Sequence, residues 1–202
     1  MPSARAHSKT RRRRMPYREF LRLEGDDAHT EWVDGEVVRM AGVTSEENQL
    51  MGFVGSVLFA FVQARGLGTV RRRPFQMKCG PDAPGRAPDA FFVRAARRRK
   101  LKKFYMDGPA DLVVEISNIG TRRLDREIKY REYEAGGVRE YWIIDSERRR
   151  AEFFALGPDR SYVLLPVDGG IFRSHVVEGL WLRTEWLRMP QPPLLEAMKE
   201  LL

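Results

Sequence analysis

Residues 111–133, DLVVEISNIGTRRLDREIKYREY, begin with an apolar strand pattern that carries a carboxylate at its centre. Alternate residues of a strand share a face, so Glu115 shares its face with Val113 and Ser117. An ionised carboxylate inside an apolar strand costs several kcal/mol unless it is paired or binds a metal ion. Glu115 therefore indicates either a functional site or a structural salt bridge to one of the many arginines of the chain.

An arginine-rich helical pattern follows this strand, from Thr121, which can cap a helix, to the Gly136-Gly137 pair, which can end it. The residues predicted to form its buried stripe recur at spacings of four and seven: Leu124, Ile128 and Ala135. Lys129 lies at the edge of that stripe and could lean over the end of the sheet. The alternative is an ordinary solvated ion pair with Asp125, four residues earlier.

A second acid begins the preceding predicted strand, residues 87–94, where Asp89 follows Pro88. By itself, an Asp after Pro at a strand start is often turn chemistry. If this strand neighbours the strand of Glu115, the two carboxylates could lie within reach of one divalent cation. Two carboxylates, a backbone carbonyl and waters make a typical Mg²⁺ shell.

Turn signals and periodicity divide the rest of the chain into strands and helices. The Asp34-Gly35 dipeptide predicts a hairpin turn, and Pro74 suggests an edge position or a bulge. A mixed order of strands and helices favours an α/β or α+β domain with a mixed sheet, and the unit 111–145 is expected to join parallel strands. The predicted elements, in chain order, are a short helix at 16–23, a hairpin at 30–40, a core helix at 45–64 capped by Ser45, strands at 69–79, 87–94 and 110–117, the helix at 121–137, a strand at 139–145, a hairpin at 151–167 and a helix at 194–202.

The net charge of +8 is concentrated in two basic segments, residues 1–14 and 97–103, each of which carries six positive charges. Such segments suit phosphate backbones, whose binding comes largely from counterion release. The alternative is a solubilising tail and an exposed loop. We expect residues 1–14 to form a disordered basic tail and residues 15–202 to form a single domain.

Composition and motifs exclude several classes of protein. The single Cys79 excludes an internal disulfide framework and a cysteine-cluster zinc site, and the three histidines show no ligand spacing. No apolar run has transmembrane length and no signal peptide is recognisable, so we expect a cytoplasmic protein with no membrane partner. The stretch SNIGTRR lacks the spaced glycines of a dinucleotide site, so no nucleotide cofactor is expected, and no G-x-S-x-G elbow occurs.

The motifs PDAFFV, ADLVVEIS and RRLDREIKYREYEAGGVREYWIID resemble the Uma-two family of restriction-endonuclease-like proteins, which belongs to the PD-(D/E)xK nuclease superfamily. The opening stretches MPYREFLRL and EWVDGEVV also match, so the resemblance covers most of residues 15–145. It implies a restriction-endonuclease-like αβββαβ core with a mixed central sheet and a C-terminal β-meander. It also implies an endodeoxyribonuclease that hydrolyses phosphodiester bonds in DNA with Mg²⁺ or Mn²⁺.

The resemblance carries particular residues over to a metal site. Asp89 matches the metal-binding Asp of the motif, Glu115 matches its second acid, and the backbone carbonyl of Ile116 matches a further ligand. The position of the usual superfamily lysine is Ser117 here, and in this family the lysine lies on the following helix, at Lys129.

Two further points come from the same resemblance. Glu31 corresponds to the acid in the first hairpin strand of the family and is expected to complete the catalytic set with Asp89, Glu115 and Lys129. The family often has a His early in its long helix, where this chain has Asn48.

The expected partner is DNA, and a homodimer is expected by analogy with other nucleases of the superfamily. The side chains expected to contact phosphates are basic and lie in two segments: Arg97, Arg98, Arg99, Lys100, Lys102, Lys103, Arg122 and Arg123. Two alternatives stay open. One is a catalytically inactive nucleic-acid-binding module with a nuclease-like fold, and the other is a protein-interaction domain whose acids form buried salt bridges.

Overall fold

The computed structural model describes residues 14–23 and 30–202, and a six-stranded mixed sheet forms its centre. The strands of this sheet are β3 Gly68–Arg72, β6 Ala90–Arg94, β8 Leu112–Ser117, β9 Glu140–Asp145, β10 Arg150–Leu156 and β11 Tyr162–Leu164. They lie in the order β11-β10-β9-β8-β6-β3. The predicted basic tail, apart from Arg14, lies outside the described residues, so the predicted domain boundary stays a prediction.

The pairing of β8 decides which residues meet at the end of the sheet. β8 is parallel to β9, as the strand–helix–strand pattern predicted, and antiparallel to β6. Every residue of β8 and β9 is buried, which is typical of strands covered on both faces. Because Ala90 pairs with Val114, the start of β6 meets the end of β8, and Asp89 comes close to Glu115. The predicted mixed fold is therefore confirmed.

The long helix α2, Ser45–Ala64, covers one face of the central sheet. Its bounds agree with the prediction, but its N-cap is Thr44 and not Ser45. The Thr44 hydroxyl accepts a hydrogen bond from the Glu47 amide, and the Glu47 carboxylate accepts one from the Thr44 amide. This capping box satisfies two amides at the helix start and fixes Glu47 beside the end of β8.

A second sheet contains the first hairpin of the chain. Its five strands are β1 Thr30–Val33, β2 Glu36–Arg39, β4 Gln76–Lys78, β5 Gly85–Arg86 and β7 Tyr105–Asp107, and they lie in the order β2-β1-β5-β4-β7. Asp34 and Gly35 both have positive φ, which confirms the predicted two-residue hairpin turn. The predicted single strand at 69–79 is wrong, because the chain bends at Pro74 and enters this second sheet as β4.

The helical segment after β8 departs most from its prediction. A π-helical turn, Leu124–Lys129, precedes α3, Tyr130–Gly136. The predicted buried stripe is wrong, since Ile128 is 47% exposed and Ala135 is also exposed. The buried residues of this segment are Asp125 and Lys129, each one position after a residue of the predicted stripe, and Tyr133, four positions after Lys129. Thr121 accepts a hydrogen bond from the Asn118 amide and does not cap the helix.

The C-terminal part adds a meander and a small third sheet. β9, β10 and β11 are consecutive antiparallel neighbours, which confirms the predicted hairpin around Gly157. The remaining elements pack beside α2 and the sheet: β12 Val167–Asp168, β13 Ile171–Arg173, β14 Trp181–Arg183 and α4 Leu194–Leu201. The short N-terminal helix is α1 Tyr17–Phe20. Within the described residues, no helix combines the length and apolar character needed to cross a bilayer.

Candidate active site

A small cleft opens where the start of β6 and the end of β8 meet β1 and the π-helical turn. Its cavity volume is about 30 Å³, which is room for about two water molecules. The side chains that line it include all four predicted catalytic residues: Glu31, Asp89, Glu115 and Lys129. Ile116, the predicted carbonyl ligand, also lines it. The structure therefore brings together residues that lie up to 98 positions apart in the sequence.

The Glu115 carboxylate accepts two hydrogen bonds on one oxygen. Lys129 Nζ lies 3.0 Å from Glu115 Oε1, and the Tyr133 hydroxyl donates to the same oxygen at 2.8 Å. Glu115 is 3% exposed and Lys129 is 2% exposed, so the pair is shielded from solvent. Glu115 is thus paired with the predicted lysine and not with an arginine.

Three acids surround the Lys129 ammonium. Besides Glu115, Glu31 Oε1 lies 3.2 Å and Asp125 Oδ1 lies 3.6 Å from Lys129 Nζ. Asp125 is itself buried and accepts a hydrogen bond from the Ser117 hydroxyl at 2.8 Å. The Asp125–Lys129 pair is therefore a buried part of the site, and the solvated pair considered from spacing is wrong.

Glu31 is held from its other side by a buried arginine. Arg86 donates to Glu31 Oε2 at 2.6 Å and grips the Glu132 carboxylate through two nitrogens at 2.6 and 2.8 Å. Arg86 comes from β5 and Glu132 from α3, so this bridge connects the second sheet to the helix that carries Lys129. A contact through two nitrogens fixes the orientation of the two side chains as well as pairing their charges.

Asp89 points into the cleft and binds the end of β8. Its Oδ2 accepts a hydrogen bond from the Ile116 amide at 2.6 Å, and its Oδ1 lies 3.2 Å from an Arg73 guanidinium nitrogen. Arg73 lines the same cleft as Asp89 and Glu115. The sequence alone left open that Asp89 only forms part of a turn, but in the structure its side chain connects the start of β6 to the end of β8.

Burial and charge together set the protonation of the site. Burial alone would lower the pKa of Lys129, but the carboxylates of Glu115, Glu31 and Asp125 outweigh it and raise that pKa, so the ammonium stays charged. Burial raises the pKa of Glu115 to about 8 despite Lys129, and burial also raises the pKa of Asp89. The two predicted metal ligands therefore lie where more positive charge would be favourable.

The donor set fits a small divalent cation. Asp89, Glu115 and the Ile116 carbonyl offer only oxygen, which Mg²⁺ prefers, and Mg²⁺ commonly uses one or two carboxylates together with waters and substrate phosphates. Among residues 14–23 and 30–202, no three His, Cys, Asp or Glu side chains are arranged as a complete metal-binding group. The cleft thus suits a cation that completes its shell with water and substrate.

The predicted phosphate contacts divide into two groups. Asp89 precedes β6 and segment 97–103 follows it, so roughly 20 Å of extended chain separates the two. The structure therefore does not bring this basic segment to the cleft. Arg122 and Arg123 begin the helical segment near Thr121, which lines the cleft. Arg122 is held by Asp145 at 2.6 Å, whereas Arg123 is largely exposed.

Sequence reasoning missed four residues of the site: Arg73, Arg86, Asp125 and Tyr133. Asp125 was recognised as a partner of Lys129 but was expected at the surface. Arg73 belongs to the run Arg71-Arg72-Arg73, where no local pattern distinguishes a buried residue from an exposed one, and Arg86 stands alone in a stretch rich in Gly and Pro that suggested only a loop. Tyr133 could have been found from the spacing of four that connects it to Lys129 and Asp125.

Comparison with known proteins identifies what this chain is similar to. The family model Uma2, described as "Putative restriction endonuclease", matches residues 17–185. Among solved structures, the chain is similar to a "putative nuclease belonging to DUF820 from Anabaena variabilis ATCC 29413". They share 14% sequence identity with a TM-score of 0.67, over 85% of this chain and 96% of that chain. This likeness shows a shared fold, and no curated protein matches the chain.

Proposed function

This chain belongs to the Uma2 family, described as "Putative restriction endonuclease", and from that premise we propose that it is an endonuclease that hydrolyses phosphodiester bonds in DNA with Mg²⁺ or Mn²⁺. The family indicates a nuclease. The metal ion and the DNA substrate are the parts that we add, and they rest on the chemistry of the cleft.

The observation that carries the proposal is the convergence of Asp89, Glu115 and Lys129 in one cleft. They come from β6, β8 and the π-helical turn, and Lys129 Nζ lies 3.0 Å from Glu115 Oε1. Two oxygen-donor acids can hold the cation of metal-assisted phosphodiester hydrolysis, and a buried ammonium beside them can stabilise negative charge that develops on the phosphate. A stability role alone gives little reason to bury three acids around one lysine, since apolar residues of similar size often stabilise a fold as well or better.

Each residue then has a distinct task. Asp89, Glu115 and the Ile116 carbonyl would hold the cation, which when bound polarises the phosphoryl group and makes water a better nucleophile. Lys129 holds its proton, and its ammonium stabilises negative charge that develops on the phosphate or orients the attacking water. Glu31 and Asp125 keep Lys129 charged and aimed at Glu115, and Arg86 keeps Glu31 in place.

A second candidate is a nuclease-like module that binds nucleic acid without cleaving it. The internal pairing of the cleft favours this alternative, because Asp89 already contacts Arg73 and Glu115 already contacts Lys129 and Tyr133. Such a module would bind DNA with a steep salt dependence and would need no metal ion.

Nicking of supercoiled plasmid by the purified chain tests the proposal. Cleavage should require Mg²⁺ or Mn²⁺ and stop with EDTA. Asp89→Asn, Glu115→Gln and Lys129→Met should each reduce the rate by roughly 100-fold or more. The surface variants Asp168→Asn and Lys199→Met, which make the same chemical changes at exposed positions, should cleave normally.

Two results would decide against the enzyme. DNA binding without cleavage under either ion would favour the inactive module, and normal cleavage by Glu115→Gln would point to a contaminating nuclease. The predicted homodimer stays a prediction by analogy, which size-exclusion chromatography with light scattering tests.

A further inference from the structure

Arg73 is placed opposite Asp89 by the pairing of β3 with β6. The antiparallel register joins Arg72 to Ala90, so the next pair along the two strands is Arg73 and Asp89. The Arg73 amide also donates a hydrogen bond to the Pro88 carbonyl at 3.1 Å. The main chain therefore places Arg73 beside a predicted metal ligand, and its guanidinium lies 3.2 Å from Asp89 Oδ1.

The Arg73 guanidinium faces the carboxylate oxygen that a cation would need. Asp89 Oδ2 is engaged by the Ile116 amide at 2.6 Å, while Oδ1 contacts Arg73 at 3.2 Å. A dication and a guanidinium cannot both approach that oxygen without repulsion, since like charges at short distance are costly in a partly buried site. Arg73 and the cation therefore compete for Asp89.

Arg73 is also the more exposed of the two positively charged side chains that line the cleft. Among the described residues that line it, Arg73 and Lys129 are the positively charged ones. The Arg73 side chain is 21% exposed, whereas that of Lys129 is 3% exposed and surrounded by three acids. An arginine fork matches two phosphate oxygens, so a guanidinium at the cleft mouth is suited to a backbone phosphate.

We propose that Arg73 exchanges partners during substrate binding, pairing with Asp89 in the free protein and with a DNA phosphate once the cation binds Asp89. This inference rests on the proposed function, since it assumes a cation at Asp89 and a phosphodiester substrate. The exchange makes the cation and the DNA bind cooperatively, because each removes Arg73 from the position that hinders the other. Linkage requires the effect to be reciprocal.

Binding of Mn²⁺ in the absence of DNA tests the competition, with free Mn²⁺ measured by electron paramagnetic resonance. Arg73→Ala should bind Mn²⁺ about three- to tenfold more tightly than the wild type, because it removes a competing positive charge. Arg73→Lys keeps the charge and should bind Mn²⁺ like the wild type. The neighbouring Arg72→Ala, which removes an arginine that does not line the cleft, is the matched control and should also behave like the wild type.

DNA binding tests the second half of the exchange. A non-cleavable phosphorothioate duplex should tighten Mn²⁺ binding in the wild type and should do so much less in Arg73→Ala and Arg73→Lys. Cleavage by both variants should fall even though the Arg73→Ala protein holds its cation more tightly. Replacing a residue that only supports the fold would not raise the metal affinity and lower the cleavage rate at the same time.

The outcomes separate this inference from the proposed function. If the wild type binds Mn²⁺ and cleaves, but Arg73→Ala binds Mn²⁺ equally or more weakly, the exchange is wrong and the nuclease stands. If Arg73→Ala binds Mn²⁺ and the wild type does not, the competition is supported in a stronger form. If neither binds Mn²⁺, with or without the phosphorothioate duplex, the metal site fails, and the exchange and the proposed function are both wrong.

Discussion

Glu115 carries a large electrostatic cost in this site. It is almost completely buried, shares one oxygen between Lys129 and Tyr133, and has Asp125, Asp89 and Glu31 nearby. Burial is the main reason that its pKa rises to about 8. A carboxylate retained at such a cost fits the common trade of stability for function.

This cost predicts a pH-dependent stability difference for Glu115→Gln in EDTA. The folded pKa of about 8 lies above the unfolded value, so the contribution of Glu115 is fully present below the unfolded pKa and is lost as pH rises towards 8. That loss spans about pH 4 to pH 8 for an ordinary Glu. Because Gln does not titrate, the variant should gain on the order of 4 kcal/mol relative to the wild type between pH 5 and pH 8.5.

Urea denaturation at the two pH values measures this gain. Glu196→Gln changes the same group at an exposed position and should show no such trend. A constant offset between Glu115→Gln and the wild type would mean that the Glu115 carboxylate is not destabilised by its surroundings.

At the scale of elements, the π-helical turn decides which side chains reach the cleft. A π turn adds a residue to the helical repeat, so it rotates the following positions relative to a regular helix. In this chain Asp125 and Lys129 face the core, and Ile128 faces solvent. Arg122 ties the start of this segment to Asp145, and Arg86 ties α3 to β1 through Glu31, so the rotated register is held from both ends.

The rotated register predicts that Ile128→Lys is tolerated. A substitution at an exposed position should change the unfolding free energy by no more than about 0.5 kcal/mol. Ile143→Ala, in the buried part of β9, is the comparison and should cost about 2–5 kcal/mol. Thermal or urea denaturation of both variants checks this. A large loss of stability for Ile128→Lys would mean that Ile128 is buried, as regular helical periodicity predicts.

The limits of sequence reasoning follow from the same elements. The alternating pattern of β8 predicted that Glu115 and Ile116 lie on opposite faces of the strand, and the Asp34-Gly35 dipeptide predicted the hairpin. Both predictions could be made from the sequence because each depends only on neighbouring residues. The approach of Asp89 to Glu115 needed only the assumption that their strands are neighbours. The Ile128 register failed because periodicity assumes a regular helical pitch. Arg73 could not be found because its role depends on pairing between distant strands.

At the scale of the whole molecule, the cleft and the basic segment occupy opposite ends of β6. Roughly 20 Å of strand separates them, which corresponds to about six base pairs along a duplex. DNA that enters the cleft could therefore extend to residues 97–103. Phosphate contacts at that distance would position the substrate without taking part in cleavage.

Neutralising this segment should weaken DNA binding and leave the chemical step intact. The variant uses the exposed residues Arg99, Lys100 and Lys103, changed together to Ala. The slope of log affinity against log salt should fall by about 0.9 for each phosphate that the protein no longer neutralises. The cleavage rate at saturating protein should stay near that of the wild type, because the cleft is unchanged.

Fluorescence anisotropy across a salt series measures the slope. A triple Ala variant of Arg173, Arg188 and Lys199 removes the same charge from exposed C-terminal positions and should leave the slope close to that of the wild type. An equal fall in slope for the two triple variants would mean that net charge, and not this segment, drives DNA binding.

We propose that Asp89 and Glu115 share one divalent cation. Anomalous diffraction from a crystal of the protein soaked with Mn²⁺ tests it most directly. We predict a Mn²⁺ peak in the cleft, bonded to a carboxylate oxygen of each residue, with the Arg73 side chain moved away from Asp89. A well-ordered cleft with no Mn²⁺ peak at saturating concentration, or a peak bonded to neither acid, would contradict the account.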